Sequence, residues 1–228
     1  MITGIAVMEK IIVYTAITNG YDTLKPVPAS WRGQCEFVAF TEQTANAMGW
    51  SIRTPCADFS DPVRNARDHK IMAHKWLGDN IYSIWVDGSV FVKATCSPQA
   101  LIDQCLAKND LAVHKHHTRC CVYDEAIACL KAGKDRPDVI GTQMRRYRAE
   151  GYPVKNGLVE TMVLIRRHTK RVAGFCEAWC HEINNGSRRD QLSFNYVARK
   201  MSFPYYVFPE TISNSPNFVW SRHSPRLG

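Results

Sequence analysis

The sequence predicts an α/β domain built round a mostly parallel central sheet flanked by helices, and three observations carry that expectation. Short apolar, β-branched runs alternate with stretches whose apolar residues recur at helical spacing, and a longer helical part fills the second half. The run Ile81-Tyr82-Ser83-Ile84-Trp85-Val86 lacks the polar alternation of a strand with one wet face, so it reads as a parallel strand covered on both sides. It ends in Asp87-Gly88-Ser89, at what would be the carboxyl edge of the sheet, where open α/β folds bind their ligands. No internal repeat or low-complexity tract interrupts the pattern. At 228 residues and 45% hydrophobic, the chain is expected to form one domain over 1–228, with a core over about 10–208 and an extended segment, 209–228, wrapping it.

Taken in order, Lys10 to Ile17 predicts the first strand, and Thr18-Asn19-Gly20-Tyr21-Asp22 a turn on the ligand side. Cys35 to Thr41 predicts a second strand and Trp50 to Thr54 a short third. Asp61-Pro62 is a helix start, because aspartate caps free backbone donors and proline fits the first helical position; the helix should run to about Leu77 and stop at Gly78. Helices are expected from Ser97 to Lys108, from Tyr123, from Asp138 to Glu150 and from Lys170 to Ile183, with strands near Leu111–His114 and over Leu158–Ile165. Ser187-Arg188-Arg189-Asp190 matches a capping box ahead of a last helix carrying Leu192, Phe194, Val197 and Met201.

The net charge of +8 and pI near 9.1 favour anionic partners. No recognition motif or stacking-rich basic strand pair points to nucleic acid, which is therefore not expected as a partner. The cluster Arg166 to Arg171 is expected to lie solvated at a strand end, with contact to a lipid-linked or polymeric anion as the sharper alternative, so peripheral membrane contact stays open. No apolar run approaches the roughly 20 residues that span a bilayer. The first residues lack the basic and apolar regions of a signal peptide. Nine irregularly spaced cysteines with no Cys-x-x-Cys pair indicate reduced thiols, so a cytoplasmic location is expected.

Several residue sets can carry chemistry, each with a plainer alternative. Asp87-Gly88 can serve a ligand or simply turn the chain into Val90-Phe91-Val92. Arg64, Arg67, Lys70 and His74 fall within a fan of roughly 120° on one helix face. They can grip a diphosphate, for which arginine offers planar paired donors, or lie in water. The stretch His114 to Cys121 is dense in metal ligands, yet its spacing matches no standard site. Asp190 can act in catalysis or only cap. G-x-G-x-x-G and G-x-x-x-x-G-K-[ST] are both absent, which argues against dinucleotide and P-loop enzymes.

Six stretches together resemble one family: Tyr14 to Asp22, Asp61-Pro62 with Arg64, Arg67 and Lys70, Trp85 to Ser89, His116 with Arg119 and Tyr123 to Ala126, Glu150 to Pro153, and Gly186 to Tyr196. They are similar to the glycosyltransferase-like family long known as a domain of unknown function in bacterial and plant proteins, over about Lys10 to Lys200. That family in turn resembles GT-A glycosyltransferases of the glycogenin type. The resemblance implies a single GT-A-like domain that moves a sugar, with retention, from a nucleotide-diphosphate donor to a polysaccharide, glycolipid or other hydroxyl acceptor. It places Thr15, Tyr21, Arg64, Arg67, Lys70, Asp87 and Ser89 at the donor nucleotide and diphosphate. His116, Arg119, Glu125 and Asn156 fall at the donor sugar or acceptor, and Asp190 with Gln191 beside the reacting centre.

A divalent cation, manganese or magnesium, is implied on Asp87, with His223 as a further ligand. Here the sequence departs from the usual acidic pair, since Ser89 is a neutral and poorer ligand for a hard cation than a carboxylate. The incomplete motif keeps a second class open, a non-catalytic or hydrolytic relative that binds a nucleotide sugar or lipid without transferring sugar.

Overall fold

A computed structural model describes residues 10–43, 47–78 and 80–223. The start of the chain and the last five residues of the expected wrapping segment, 224–228, lie outside the described residues. Seven strands form one sheet: β1 (Ile11–Ile17), β2 (Glu36–Thr41), β3 (Ser51–Arg53), β4 (Tyr82–Val86), β6 (Leu111–Lys115), β7 (Val159–Arg167) and β8 (Tyr206–Phe208). Their order is β3-β2-β1-β4-β7-β6-β8. Two further short strands, β5 (Val90–Val92) and β9 (Phe218–Trp220), pair antiparallel beside it. The helices are α1 (Pro62–Ile71), α2 (Ala73–Trp76), α3 (Pro98–Cys105), α4 (Val122–Lys131), α5 (Pro137–Ala149), α6 (Lys170–Asn184) and α7 (Phe194–Lys200).

Strands β1 and β4 are buried along their whole length, as continuous apolar runs must be when both faces of a sheet are covered. One face of the sheet carries Tyr14, Trp85 and Leu164 against Phe175 and Trp179 of α6. The other carries Val13, Ile84 and Ile165 against Leu101 and Ile102 of α3. Strand β4 runs parallel to β1, as expected, but antiparallel to β7 on its other side. The reason lies between β6 and β7. Two helices, α4 and α5, lead out and back, so the chain re-enters the sheet from its carboxyl edge and β7 must run the opposite way.

Three expectations are corrected. The helix from Asp61 to Leu77 is two helices, because Met72 (φ −87°, ψ 41°) leaves helical geometry and frees the end of α1 for tertiary partners. Asp61 does cap α1, accepting the Val63 N–H at 2.9 Å. The capping box at 187–190 does not form: the Ser187 hydroxyl turns to Asp135, Asp190–Leu192 is a 3-10 turn, and α7 begins only at Phe194. Arg166 is fully buried rather than solvated, because its position on β7 faces the core under α1 and α6.

Candidate functional site at the sheet edge

The carboxyl ends of β1, β4 and β6 and the start of β7 meet at one edge. Asp87 leaves β4 there, its N–H held by the Met162 carbonyl at 2.9 Å. The turn reading is also real, since the Val90 N–H bonds the Asp87 carbonyl at 2.8 Å and sends the chain into β5. Gly88 is needed for close approach: a Cβ there would stand 3.0 Å from the Ile17 side chain and 3.4 Å from Asp22 Cβ. Ser89 is buried, and its carbonyl accepts the N–H and hydroxyl of Ser221.

A buried ion network occupies this edge. Asp87, about a quarter exposed at 23%, accepts Trp85 Nε1–H at 2.7 Å and Lys70 Nζ–H at 3.1 Å on the same oxygen. Lys70 Nζ also stands 2.7 Å from Asp190 Oδ2 and donates to the Thr161 hydroxyl, which itself donates to Asp190 at 2.7 Å. Arg67 Nε lies 3.4 Å from the other Asp190 oxygen. Burial alone would raise the Asp190 pKa, but the charges of Arg67, Lys70 and Arg189 outweigh it and hold the carboxyl far below its usual range. Burial lowers the Lys70 ammonium pKa against the pull of Asp190 and Asp87.

A second cluster sits in the loop after β6 and on α4. Arg119 Nε donates to Glu125 Oε2 at 2.6 Å, and His116 Nε2 lies 3.4 Å from the same oxygen. His116 Nδ1 accepts the Thr118 and Arg119 N–H groups, so its proton belongs on Nε2, toward Glu125. Burial opposes ionisation of Glu125, yet these two partners lower its pKa to about 2. Arg189 joins the clusters: burial disfavours its charge, and Asp190, Cys129 and Glu125 restore it and more. Beside them, buried Glu160 accepts the Ile212 N–H at 3.0 Å and holds His117 Nδ1 at 3.1 Å, on an imidazole half exposed to solvent.

The other candidate residues are dispersed. Arg64 donates to the carbonyls of Ile183 and Gly186, at the end of α6. Thr15 is buried, and its hydroxyl has no partner among the described residues. Gln191 accepts from Arg189 Nη2 at 3.1 Å. Asn156 donates to the Tyr152 hydroxyl and borders a shallow depression of about 330 Å³ with Asn195, Arg199 and Tyr205. His223 Nδ1 stands 2.6 Å from Asp22, its ring packed edge-on against exposed Tyr21. Among the described residues no three His, Cys, Asp or Glu side chains converge to hold a metal. Asp87 offers one carboxylate, which suits a cation that takes its remaining oxygens from water and a diphosphate.

Sequence reasoning missed Thr161, Glu160, His117, Arg189 and Arg166. The signal for the first two was a polar pair opening an otherwise apolar strand. A break in the β6–β7 register brings Glu160 opposite His114 while Leu164 stays opposite Val113, and this irregularity frees Thr161 to turn toward Lys70.

The fold is shared with a solved glycosyltransferase structure. The fold matches the apo structure of the WbbM bifunctional glycosyltransferase with a TM-score of 0.51, at 11% identity, over 90% of this chain and 39% of that one. The profile of the family described as TOD1/MUCI70, glycosyltransferase-like domain, matches residues 50–215, and the chain belongs to that family. It is 28% identical over 154 residues to the probable hexosyltransferase MUCI70 of Arabidopsis thaliana, covering 63% of this chain and 26% of that protein. It is 27% identical over 150 residues to the alkaline ceramidase TOD1 of the same plant, covering 61% and 32%. The matched part is thus a quarter to a third of either relative's length.

Proposed function

We propose that this chain is a glycosyltransferase that moves a hexose or related sugar from a nucleotide-diphosphate donor to a hydroxyl of a polysaccharide, glycolipid or other acceptor, with retention at the anomeric carbon. One observation carries the reading. Three largely buried cations, Arg67, Lys70 and Arg189, surround two carboxylates, Asp87 and Asp190, at the sheet edge. Withdrawing a surplus charge from water is costly unless an anion meets it, and a departing diphosphate is such an anion. As the bond from the anomeric carbon to the phosphate oxygen breaks, the electron pair leaves with the diphosphate, and Lys70 and Arg67 face the growing charge. Asp190 holds both cations in place, and Gln191 stands beside it near the sugar centre. A magnesium or manganese ion entering with the diphosphate would meet Asp87.

The family and its hexosyltransferase relative support this reading, and nine unpaired cysteines support a reducing compartment such as the cytoplasm. No helix among the described residues is long and apolar enough to cross a membrane. A thermal-shift panel of nucleoside diphosphates and nucleotide sugars, with and without manganese, tests it. At a hundredfold excess over Kd a true ligand adds about 2.7 kcal/mol, several degrees for a chain of this size. No shift with any of them would reject the donor site.

A second reading, hydrolysis without sugar transfer, is favoured by the His117–Glu160 pair and by the ceramidase relative. Buried Glu160 fixes Nδ1 and leaves Nε2 able to take a proton from water. Release of free sugar at the same rate with and without an added acceptor would select it.

A further inference from the structure

Arg166 is fully buried, yet among the described residues no carboxylate pairs with it. Its Nη2 donates to the Lys70 carbonyl at 2.9 Å and its Nη1 to the Tyr14 hydroxyl at 2.6 Å, and Tyr14 in turn donates to that same carbonyl at 2.8 Å. We propose that Arg166 and Tyr14 are positioning residues, a buried clamp on the Lys70 backbone that sets where the Lys70 ammonium stands between Asp87 and Asp190 and so how tightly the edge holds a diphosphate. The second half rests on the donor-site reading above.

The carbonyls of a helix's last turn have no partners within the helix. Because α1 stops at Ile71, the Lys70 carbonyl is one of them, and two side chains from the sheet meet it in place of a further helical turn. The guanidinium thereby faces the partly negative end of α1, which serves as its counter-charge where no carboxylate does. Burial raises the Tyr14 pKa to about 12 despite Arg166, so the hydroxyl keeps the proton it donates. Tyr14 lies on β1 and Arg166 on β7, the two strands flanking β4. Trp85 of β4 packs edge-on against Tyr14 at 5.1 Å and lies under the Lys70 ammonium at 5.6 Å. The backbone end of the lysine is therefore tied to β1 and β7, Trp85 of β4 supports its other end, and the four-carbon stem between them carries that placement to the edge.

Tyr14→Phe keeps the ring and removes the hydroxyl; Arg166→Met removes the charge, and if it fails to fold, Tyr14→Phe still decides the matter. The side-chain NMR signals of Lys70 are followed in the full chain, with exposed Lys10 as control, and inorganic pyrophosphate binding is measured by calorimetry. Tyr14→Phe should move the Lys70 signals, leave those of Lys10 in place and weaken pyrophosphate about tenfold, the effect of losing one charge-assisted bond. In a Lys70→Met background it should weaken pyrophosphate no further. Unmoved Lys70 signals, or an equal loss in both backgrounds, would overturn the clamp. If the Lys70 signals move while neither Tyr14→Phe nor Lys70→Met alters pyrophosphate binding, the clamp on the lysine stands and the diphosphate reading is what fails.

Discussion

Two ion clusters in this molecule differ in how their charges balance. On the far side of α5 and α6, Glu182 accepts from Arg146, from Gln143 and from the Tyr147 hydroxyl at 2.9 Å, while Glu150 pairs with Arg146 and Lys200. Two acids meet two cations there; the stacked rings of Tyr147 and Tyr196, 3.7 Å apart, line the Glu182 end, while Glu150 and Lys200 lie at the surface. At the sheet edge three cations meet two acids, and Asp87 remains partly open to solvent. A balanced cluster joins helices; a cluster with spare positive charge next to water has a place for an anion.

The sharpest break of this contrast comes from removing one acid in each cluster. Asp190→Asn should cost about 3–5 kcal/mol in urea unfolding, the usual penalty for leaving a buried cation unpaired. Glu182→Gln should cost about 1–2 kcal/mol, because Arg146 is more than a third exposed and keeps Glu150. Only Asp190→Asn should also lower sugar transfer, by about a hundredfold or more. If Glu182→Gln reduces transfer as much, the two clusters do not differ in kind.

The bridge between the edge and the α4 cluster can be read from acid. The Glu125 pKa is lowered from 4.5 to about 2 in the folded chain, so the stability it contributes is complete above pH 4.5 and is lost as pH falls toward 2. A shift of that size corresponds to roughly 3 kcal/mol. Glu125→Gln should flatten the stability curve over that window; an unchanged acid limb would deny that Glu125 is held by Arg119 and His116.

The smallest effect on stability is expected at Asp87. Asp87→Ala should cost only about 1 kcal/mol, since its ion pair is partly solvated, while abolishing transfer. Full activity would remove Asp87 from the site.

The strand runs and most helices were legible because burial on both faces and capping are local signals: β1, β4, α1's start at Asp61 and α6 all follow from their own residues. Asp87, Lys70, Arg67 and Asp190 were nameable through family resemblance, but their mutual contact was not, because it joins α1, β4 and the turn after α6. Asp190 was also open to a capping role, since its neighbourhood spells a capping box; a tertiary demand from Lys70 and Arg67 overrode the local pattern. Arg166 looked like a solvated cluster member because the residues around it are basic, and only the pairing of β7 with β4 turns it inward. His117 and Glu160 stand 43 residues apart and meet only through the β6–β7 pairing.

The strap made by β9 and the residues after it has a consequence for how the molecule is made. Ser221 closes on Ser89, and His223 reaches Asp22, a contact between residues 201 positions apart. On the ribosome the first strands and their turn must wait for nearly all the described chain to be synthesised before this edge is closed. Contacts of such separation form late and slow folding. Until then β5 has no strand partner, so a chain interrupted before β9 would leave an unpaired strand edge at Val90–Val92 beside its future ligand site.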